Sequence, residues 1–286
     1  MTLAATGALV ADAVRAESAV LAFNVITLEH AEGIVLGLEA AGLPGILQVS
    51  ENAVRFHGGR MAPLVAGCRE VAASAGVPVS VHLDHVQDVD LARSVVATAW
   101  QLGISSLMVD AAHLEYEKNV ATTTELAEAG HRTSLWIEAE LGEIGGKDGA
   151  HAPGVRTDPD EAASFVARTS VDGLAVAVGS SHAMTTATAE LDLDLIARLA
   201  DRLPVPLVLH GSSGVPVETL RAAVARGVRK VNVGTALNVG YTAEVRQYLA
   251  ADGAVTDPRK YLTPARDAMR DMVTRLATDL LTTRSR

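Results

Sequence analysis

The chain has a single cysteine, Cys68, among 286 residues, so no disulfide can form within it. That fits a reducing compartment and predicts a cytoplasmic location. Cys68 itself reads as a small buried residue, not a catalytic thiol. Long apolar runs are also missing. Nowhere do about 18 uncharged apolar residues follow one another, as a membrane span requires. The beginning lacks a secretory pattern: Thr2 to Val10 is mildly apolar, but no basic region precedes it and Asp12, Arg15 and Glu17 follow closely. Positive charge is scarce. The net charge of −10 argues against nucleic acid as a partner. It also means that a phosphate ester would need local positive potential from a metal, backbone N–H groups or a few basic side chains. Common catalytic signatures fail as well. No dinucleotide fingerprint follows a strand. Gly145-Gly-Lys-Asp148 lacks the spacing of a P-loop, and Gly211-Ser-Ser-Gly214 lacks that of a nucleophile elbow.

What is present is alternation. Short β-rich apolar runs occur at Ala22–Val25, Ile46–Val49, Val79–Leu83, Ser106–Val109, Leu135–Ala139, Leu174–Val178, Leu207–Leu209 and Lys230–Val233. Between several of them lie helical stretches: Leu28–Ala41, Asp88–Leu102, Pro159–Thr169, Leu193–Leu203 and Pro216–Arg226. Gly42 and Gly103 just past two helix ends, and Pro at the start of others, are the expected punctuation. One or two further helices are predicted from Asp257 to Leu281. About eight strands separated by helices predict a single α/β domain, a (β/α)8 barrel spanning residues 1–286. An open doubly wound sheet is the rival, and the missing fingerprint counts against it.

In a barrel, chemistry gathers where the strands end. Strand 3 reads Val79-Ser-Val-His-Leu-Asp-His85, so period two places Ser80, His82 and Asp84 on one face, with His85 at the tip. Strand 4 ends at Asp110, and strand 5 carries Glu138 and Glu140 on one face. Strands 6 and 7 run into His182 and His210. One histidine at a strand end is ordinarily a hydrogen-bonded structural residue. Three on one rim beside carboxylates are hard to explain that way, because buried ionisable groups are costly unless paired or bound to metal. His85, His182 and His210 are therefore candidate metal ligands, and three imidazoles with an open position suit catalytic zinc. The glycine-rich turns at Gly211-Ser-Ser213 and Asn232-Val-Gly-Thr235 are either ordinary strand-to-helix turns or a phosphate cradle.

Taken in order, these segments resemble the class II fructose- and tagatose-bisphosphate aldolases. The resemblance rests on His82-Leu-Asp-His85, Glu138-Ala-Glu-Leu-Gly142 with Gly145-Gly146, Ala177-Val-Gly-Ser-Ser-His182, Val208-Leu-His-Gly-Ser-Ser-Gly214 and Lys230-Val-Asn-Val-Gly-Thr235. Ala22-Phe-Asn-Val25, Gln48-Val-Ser50 with Gly58-Gly59, and Asp257-Pro-Arg259 extend it over nearly the whole chain. It implies a lyase that cleaves a ketose 1-phosphate or 1,6-bisphosphate between C3 and C4 and releases dihydroxyacetone phosphate. It implies Zn2+ on His85, His182 and His210, a monovalent cation (Na+ or K+), and a homodimer or homotetramer. Asp84 would take the proton of the C4 hydroxyl. Asn232 would contact dihydroxyacetone phosphate, and Gly179, Gly211, Ser213 and Thr235 its phosphate. Ser50 and Arg259 would meet a distal phosphate, Arg259 from a neighbouring subunit. Asp110 and Glu140 match positions that can hold displaced zinc or a second metal. No Schiff-base lysine is called for, and the surroundings of Lys230 do not resemble one's apolar pocket.

Three departures from the family pattern stand near the substrate. The loop after Gly145-Gly146 carries Asp148 where the family usually presents Glu as the second acid/base. Ala183 replaces Gly after His182, and the following Met184-Thr-Thr186 lacks a phosphate-binding Lys. Asp110-Ala-Ala-His-Leu-Glu-Tyr116 replaces a segment that commonly has Ser and Pro-Phe. A lyase or isomerase acting on another phosphosugar, and a non-catalytic phosphosugar-binding subunit, are the alternatives.

Overall fold

The computed structural model describes residues 2–141, 156–181 and 186–282. Its elements run α1 (Thr6–Arg15), β1 (Val20–Asn24), α2 (Leu28–Ala41), β2 (Gly45–Ser50), α3 (Glu51–Phe56), α4 (Met61–Ser74), β3 (Val79–Val86), α5 (Val89–Leu102), β4 (Ser106–Val109), α6 (Tyr116–Arg132) and β5 (Trp136–Glu140). They continue with α7 (Pro159–Thr169), β6 (Gly173–Ala175), α8 (Leu193–Arg202), β7 (Leu207–Leu209), α9 (Val217–Ala225), β8 (Val228–Val233), α10 (Thr235–Ala251) and α11 (Arg259–Leu281). The eight strands pair in sequence order, and β8 closes on β1. All pairings are parallel.

Strand parity sorts the side chains into two environments. Val79, Val81 and Leu83 of β3 belong to the large outer core, together with Ile34 and Leu38 of α2 and Val95 of α5. This apolar layer between strands and helices supplies the main driving force for the fold. Ser80, His82 and Asp84 take the other parity and are buried within the barrel. The register aligns Gln48 with His82 and Ser50 with Asp84, so polar residues of neighbouring strands share layers. The barrel interior has apolar parts as well: near its N-terminal end Val20, Ala22 and Ile46 pack against Leu9 and Val10 of α1, and Met108, Ala175, Ala177 and Val208 form a second apolar cluster.

That end is closed by a helix the sequence does not announce. In α1, Thr6 donates to Ser80 Oγ at 2.9 Å, and Ser106 Oγ donates to Thr6 Oγ1 at 2.7 Å. Trp136 of β5 is wedged between α1 and β6. A Cβ on Gly7 would lie 3.2 Å from its indole ring, and one on Gly173 2.5 Å. Both positions therefore need the missing side chain rather than unusual backbone freedom.

Elsewhere the structure adjusts several expected limits. Strand 6 is shorter than Leu174–Val178, because only Val176 N–H continues the ladder, to Val208 O at 3.2 Å. Beyond it, Ala177 bonds to Thr157 and Val178 accepts from Asp192, both outside the sheet. The C-terminal stretch is one helix, α11, and α10 precedes it. Helix α11 packs chiefly on α2 and α10. Gly37 allows the approach to α2: a Cβ there would lie 2.6 Å from Val273. Helices α1, α3, α4, α6 and α10 lie outside the helical stretches expected from sequence. No helix among the described residues is long and apolar enough to cross a membrane.

Candidate active site

The C-terminal mouth opens into a cavity of about 410 Å³, whose lining includes Asn24, Gln48, Ser50, Asp84, His85, Ser181, His210, Asn232 and Thr235. These polar side chains come from β1, β2 and β3, from the loops after β6 and β7, from β8 and from the start of α10.

Asp84 and His85 are adjacent, and simple alternation would send them to opposite faces. They nevertheless share the site. Strand β3 runs on through Val86, with an irregular register against β4 between Leu83 and Val86. Within it His85 has φ +49. A left-handed conformation at a non-glycine residue costs about 1–2 kcal/mol and persists only where the surroundings enforce it. Its effect is geometric: ligand atoms of Asp84, His85 and His210 all lie within 4.8 Å of one another.

Each imidazole is oriented by a carboxylate. His85 Nδ1 lies 3.0 Å from Asp110 Oδ2, and His210 Nε2 lies 2.8 Å from Glu138 Oε1. An N–H donated outward leaves a neutral ring with its lone pair on the inner nitrogen. The inner atoms, His85 Nε2 and His210 Nδ1, face each other at 2.7 Å. Two converging acceptor nitrogens repel unless a proton or a cation lies between them. The donor set therefore fits a divalent metal, and imidazole suits zinc among several others. A second group, His85 with Asp110 and Glu140, also brings its ligand atoms within 4.8 Å. Behind His210, the other Glu138 oxygen accepts from the fully buried Lys230 Nζ at 2.8 Å. Lys230 is thus held as the countercharge of a buried carboxylate. Asn232 Nδ2 donates to Asp84 Oδ1 at 3.4 Å.

Below the mouth, His82 Nδ1 meets Ser106 Oγ at 2.8 Å. Burial, with the neighbouring Lys230 charge second, holds the His82 pKa well below the usual histidine range. Burial likewise lowers His30, which stacks on Tyr241 at 4.7 Å between ring centroids. Both rings are then neutral in the folded protein and ready to protonate when unfolded. Their contribution to stability should be constant above about pH 6.5 and decline as pH falls below it, each pH unit costing at most about 1.4 kcal/mol per histidine. Urea unfolding between pH 7.5 and 4.5 checks this, and His82→Gln should flatten part of the acid slope. Cys68 is pushed up to about 12 by burial and stays a thiol.

Of the residues singled out from sequence, Ser50, Asp84, His85, His210, Gly211, Ser213, Asn232 and Thr235 line the cavity. Asp110 and Glu140 stand beside His85. Gly179 is not among the lining residues. It has φ +118, and a Cβ there would lie 2.3 Å from Glu190 O. Arg259 begins α11 with its side chain 88% exposed and paired to Asp257. Asp148 and His182 lie outside the described residues. The neighbour of His182, however, is placed: Ser181 backbone atoms come within 2.6 Å of a Cβ built on Gly211, which has φ +67. The β6 loop therefore abuts the residue next to His210. Asn24, Gln48, Asn52, Phe56 and Asn238 also line the cavity. The parity of Asn24 with Ala22, and of Gln48 with Ile46, was the signal that could have marked the first two.

A parallel barrel whose C-terminal rim gathers imidazoles, carboxylates and glycine-rich turns defines a class of metal-assisted enzymes. Comparison with known proteins narrows that class. The sequence model of the class-II fructose-bisphosphate aldolases matches residues 4–284. A fructose-bisphosphate aldolase of Geobacillus stearothermophilus is 36% identical over 96% of this chain and 95% of its own. Among solved structures, the YdjI aldolase of Escherichia coli K12 superposes with a TM-score of 0.83 at 29% identity, covering 97% of both chains. A putative fructose-1,6-biphosphate aldolase of Coccidioides immitis gives 0.84 at 28%, covering 96% of this chain and 95% of that one. The chain belongs to the class II fructose-bisphosphate aldolase family. It is an aldolase, a carbon–carbon lyase of a metal-dependent family.

Proposed function

We propose that the protein is a zinc-dependent aldolase that cleaves, and in reverse forms, the C3–C4 bond of a ketose 1-phosphate or 1,6-bisphosphate, with dihydroxyacetone phosphate as one product. The observation that carries this reading is the 2.7 Å approach of His85 Nε2 and His210 Nδ1 beside Asp84, each ring backed by a buried carboxylate. His182 is the third ligand in this reading, brought in by the β6 loop. Zn2+ bound there supplies a Lewis acid for the negative charge that cleavage leaves on the donor fragment.

The chain's own residues do the rest. Asp84 takes the proton of the C4 hydroxyl while the C3–C4 electron pair passes to the donor fragment and the C4 oxygen becomes the aldehyde oxygen. Asn232, bonded to Asp84 Oδ1, holds that carboxylate and contacts the donor. Asp148 then supplies the proton to C3. Gly211, Ser213 and Thr235 form the phosphate cradle at the N-terminus of α10, where backbone N–H groups and the helix dipole favour an anion; Gly179 assists from the β6 loop. Ser50 and a partner's Arg259 face the distal end in a homodimer or homotetramer. Asp110 and Glu140 offer a second metal position, and a monovalent cation accompanies the phosphate. The whole chain acts as one domain, in the cytoplasm.

A coupled assay for dihydroxyacetone phosphate release, run over fructose, tagatose and deoxyketose phosphates, tests the reading. One of these should turn over, and chelation followed by Zn2+ should abolish and restore the rate. Full activity under chelation would refute the metal requirement. Turnover of another phosphosugar without dihydroxyacetone phosphate would favour a different lyase or an isomerase.

A further inference from the structure

The left-handed conformation of His85 needs something to hold it, and the holding contacts come from an element with no ligand of its own. Strand β3 leaves His85 through Val86, Gln87 and Asp88 before α5 begins. Glu51, the first residue of α3, is 5% exposed and reaches across to this connection. Its Oε2 accepts the backbone N–H of Gln87 at 2.6 Å and of Asp88 at 2.9 Å. Its Oε1 accepts from Arg55, one turn along α3. On the opposite side Gln87 Nε2 donates to Asp110 Oδ2 at 3.2 Å, the same oxygen that orients His85. Asp88 in turn caps α5 through Asp90 N and Leu91 N. Every residue from Gln87 to the start of α5 is thereby tied down.

We infer that Glu51 is a positioning residue that fixes the strained His85 turn and so sets the metal-binding geometry. This rests on reading His85 as a metal ligand. Two successive backbone N–H groups of the turn donate to one oxygen of this buried carboxyl group, which fixes their direction. Without it, the backbone after His85 is free to relax toward ordinary extended geometry, which turns the imidazole away from Asp84 and His210. The same short helix lines the cavity with Asn52, Ala53 and Phe56. Helix α3 is therefore a strut joining the substrate-facing wall to the turn that carries His85.

The test measures Zn2+ affinity of metal-free protein by competition with a chromophoric chelator, with the Co2+ absorption spectrum as a second readout. Outer groups that orient metal ligands typically change affinity by about 10- to 100-fold, and Glu51→Ala should weaken Zn2+ by that amount and alter the Co2+ bands. Glu51→Asp keeps the charge but shortens the reach, and it should fail in the same direction. Glu51→Gln keeps an acceptor oxygen at the right distance and should restore most of the affinity. If Glu51→Ala does not fold, the comparison of Asp with Gln decides. His85→Ala is the control. Loss of Zn2+ in that control with wild-type affinity in Glu51→Ala or Glu51→Asp overturns the inference alone. Unchanged Zn2+ binding in His85→Ala overturns the metal reading beneath it.

Discussion

His210→Ala should yield a folded protein that no longer retains metal and no longer cleaves its substrate. The substitution removes an inner nitrogen of the converging pair and also the N–H that satisfies Glu138. Lewis-acid stabilisation is worth several kcal/mol in such reactions, and about 1.4 kcal/mol is a factor of ten. The rate should therefore fall by at least about 10³-fold. Glu138 keeps Lys230 as its partner, so the buried carboxylate is not stranded and the barrel should survive. Elemental analysis after dialysis, paired with dihydroxyacetone phosphate release, reads both effects. Stoichiometric metal together with an undiminished rate would remove His210 from the site.

Asp84→Asn should behave differently, losing chemistry while keeping metal. The change is isosteric and retains the oxygen that Asn232 contacts, but an amide cannot accept the C4 hydroxyl proton. General-base removal typically costs about 10²–10⁴-fold, and the loss should fall on kcat with little change in KM. Solvent exchange of the proton on the hydroxymethyl carbon of dihydroxyacetone phosphate, the carbon that is C3 in the ketose, offers a sharper discrimination. That exchange needs the second acid/base and not Asp84, so it should persist in the variant while cleavage disappears. Parallel loss of both would assign Asp84 a general structural or metal-related role instead.

The division between what was legible in the sequence and what was not follows physical range. Strand parity and strand-end position are local, and they suffice to mark Asp84, His85, Glu138, Glu140 and His210 in the sequence. Parity alone does not bring Asp84 and His85 to one side, because the φ of +49 that does so has no residue signature: the position is not glycine. The Glu138–Lys230 pair joins residues 92 apart, and the ties of Glu51 span 36 and 37. Such pairings arise only when the barrel closes. Helix α1 was opaque for another reason. It is a short segment rich in small residues, and the face it buries, Thr6, Leu9, Val10 and Ala13, plugs one end of the barrel instead of covering the strands from outside, so it stands apart from the strand–helix alternation. Helix α10 has one buried residue, Leu237, and a correspondingly faint apolar stripe.

The wedge of Trp136 between Gly7 and Gly173 has an optical consequence. The protein has two tryptophans. Trp100 projects from α5 at 91% exposure, whereas Trp136 is gripped between the plug and the barrel wall. Trp136 is only partly buried, so an aqueous collisional quencher reaches Trp100 more readily than Trp136. Emission that persists at high quencher is then weighted toward the indole at the plugged end, on the strand that also carries Glu138 and Glu140. Unseating of the plug can thus be followed through Trp136, without attaching a dye.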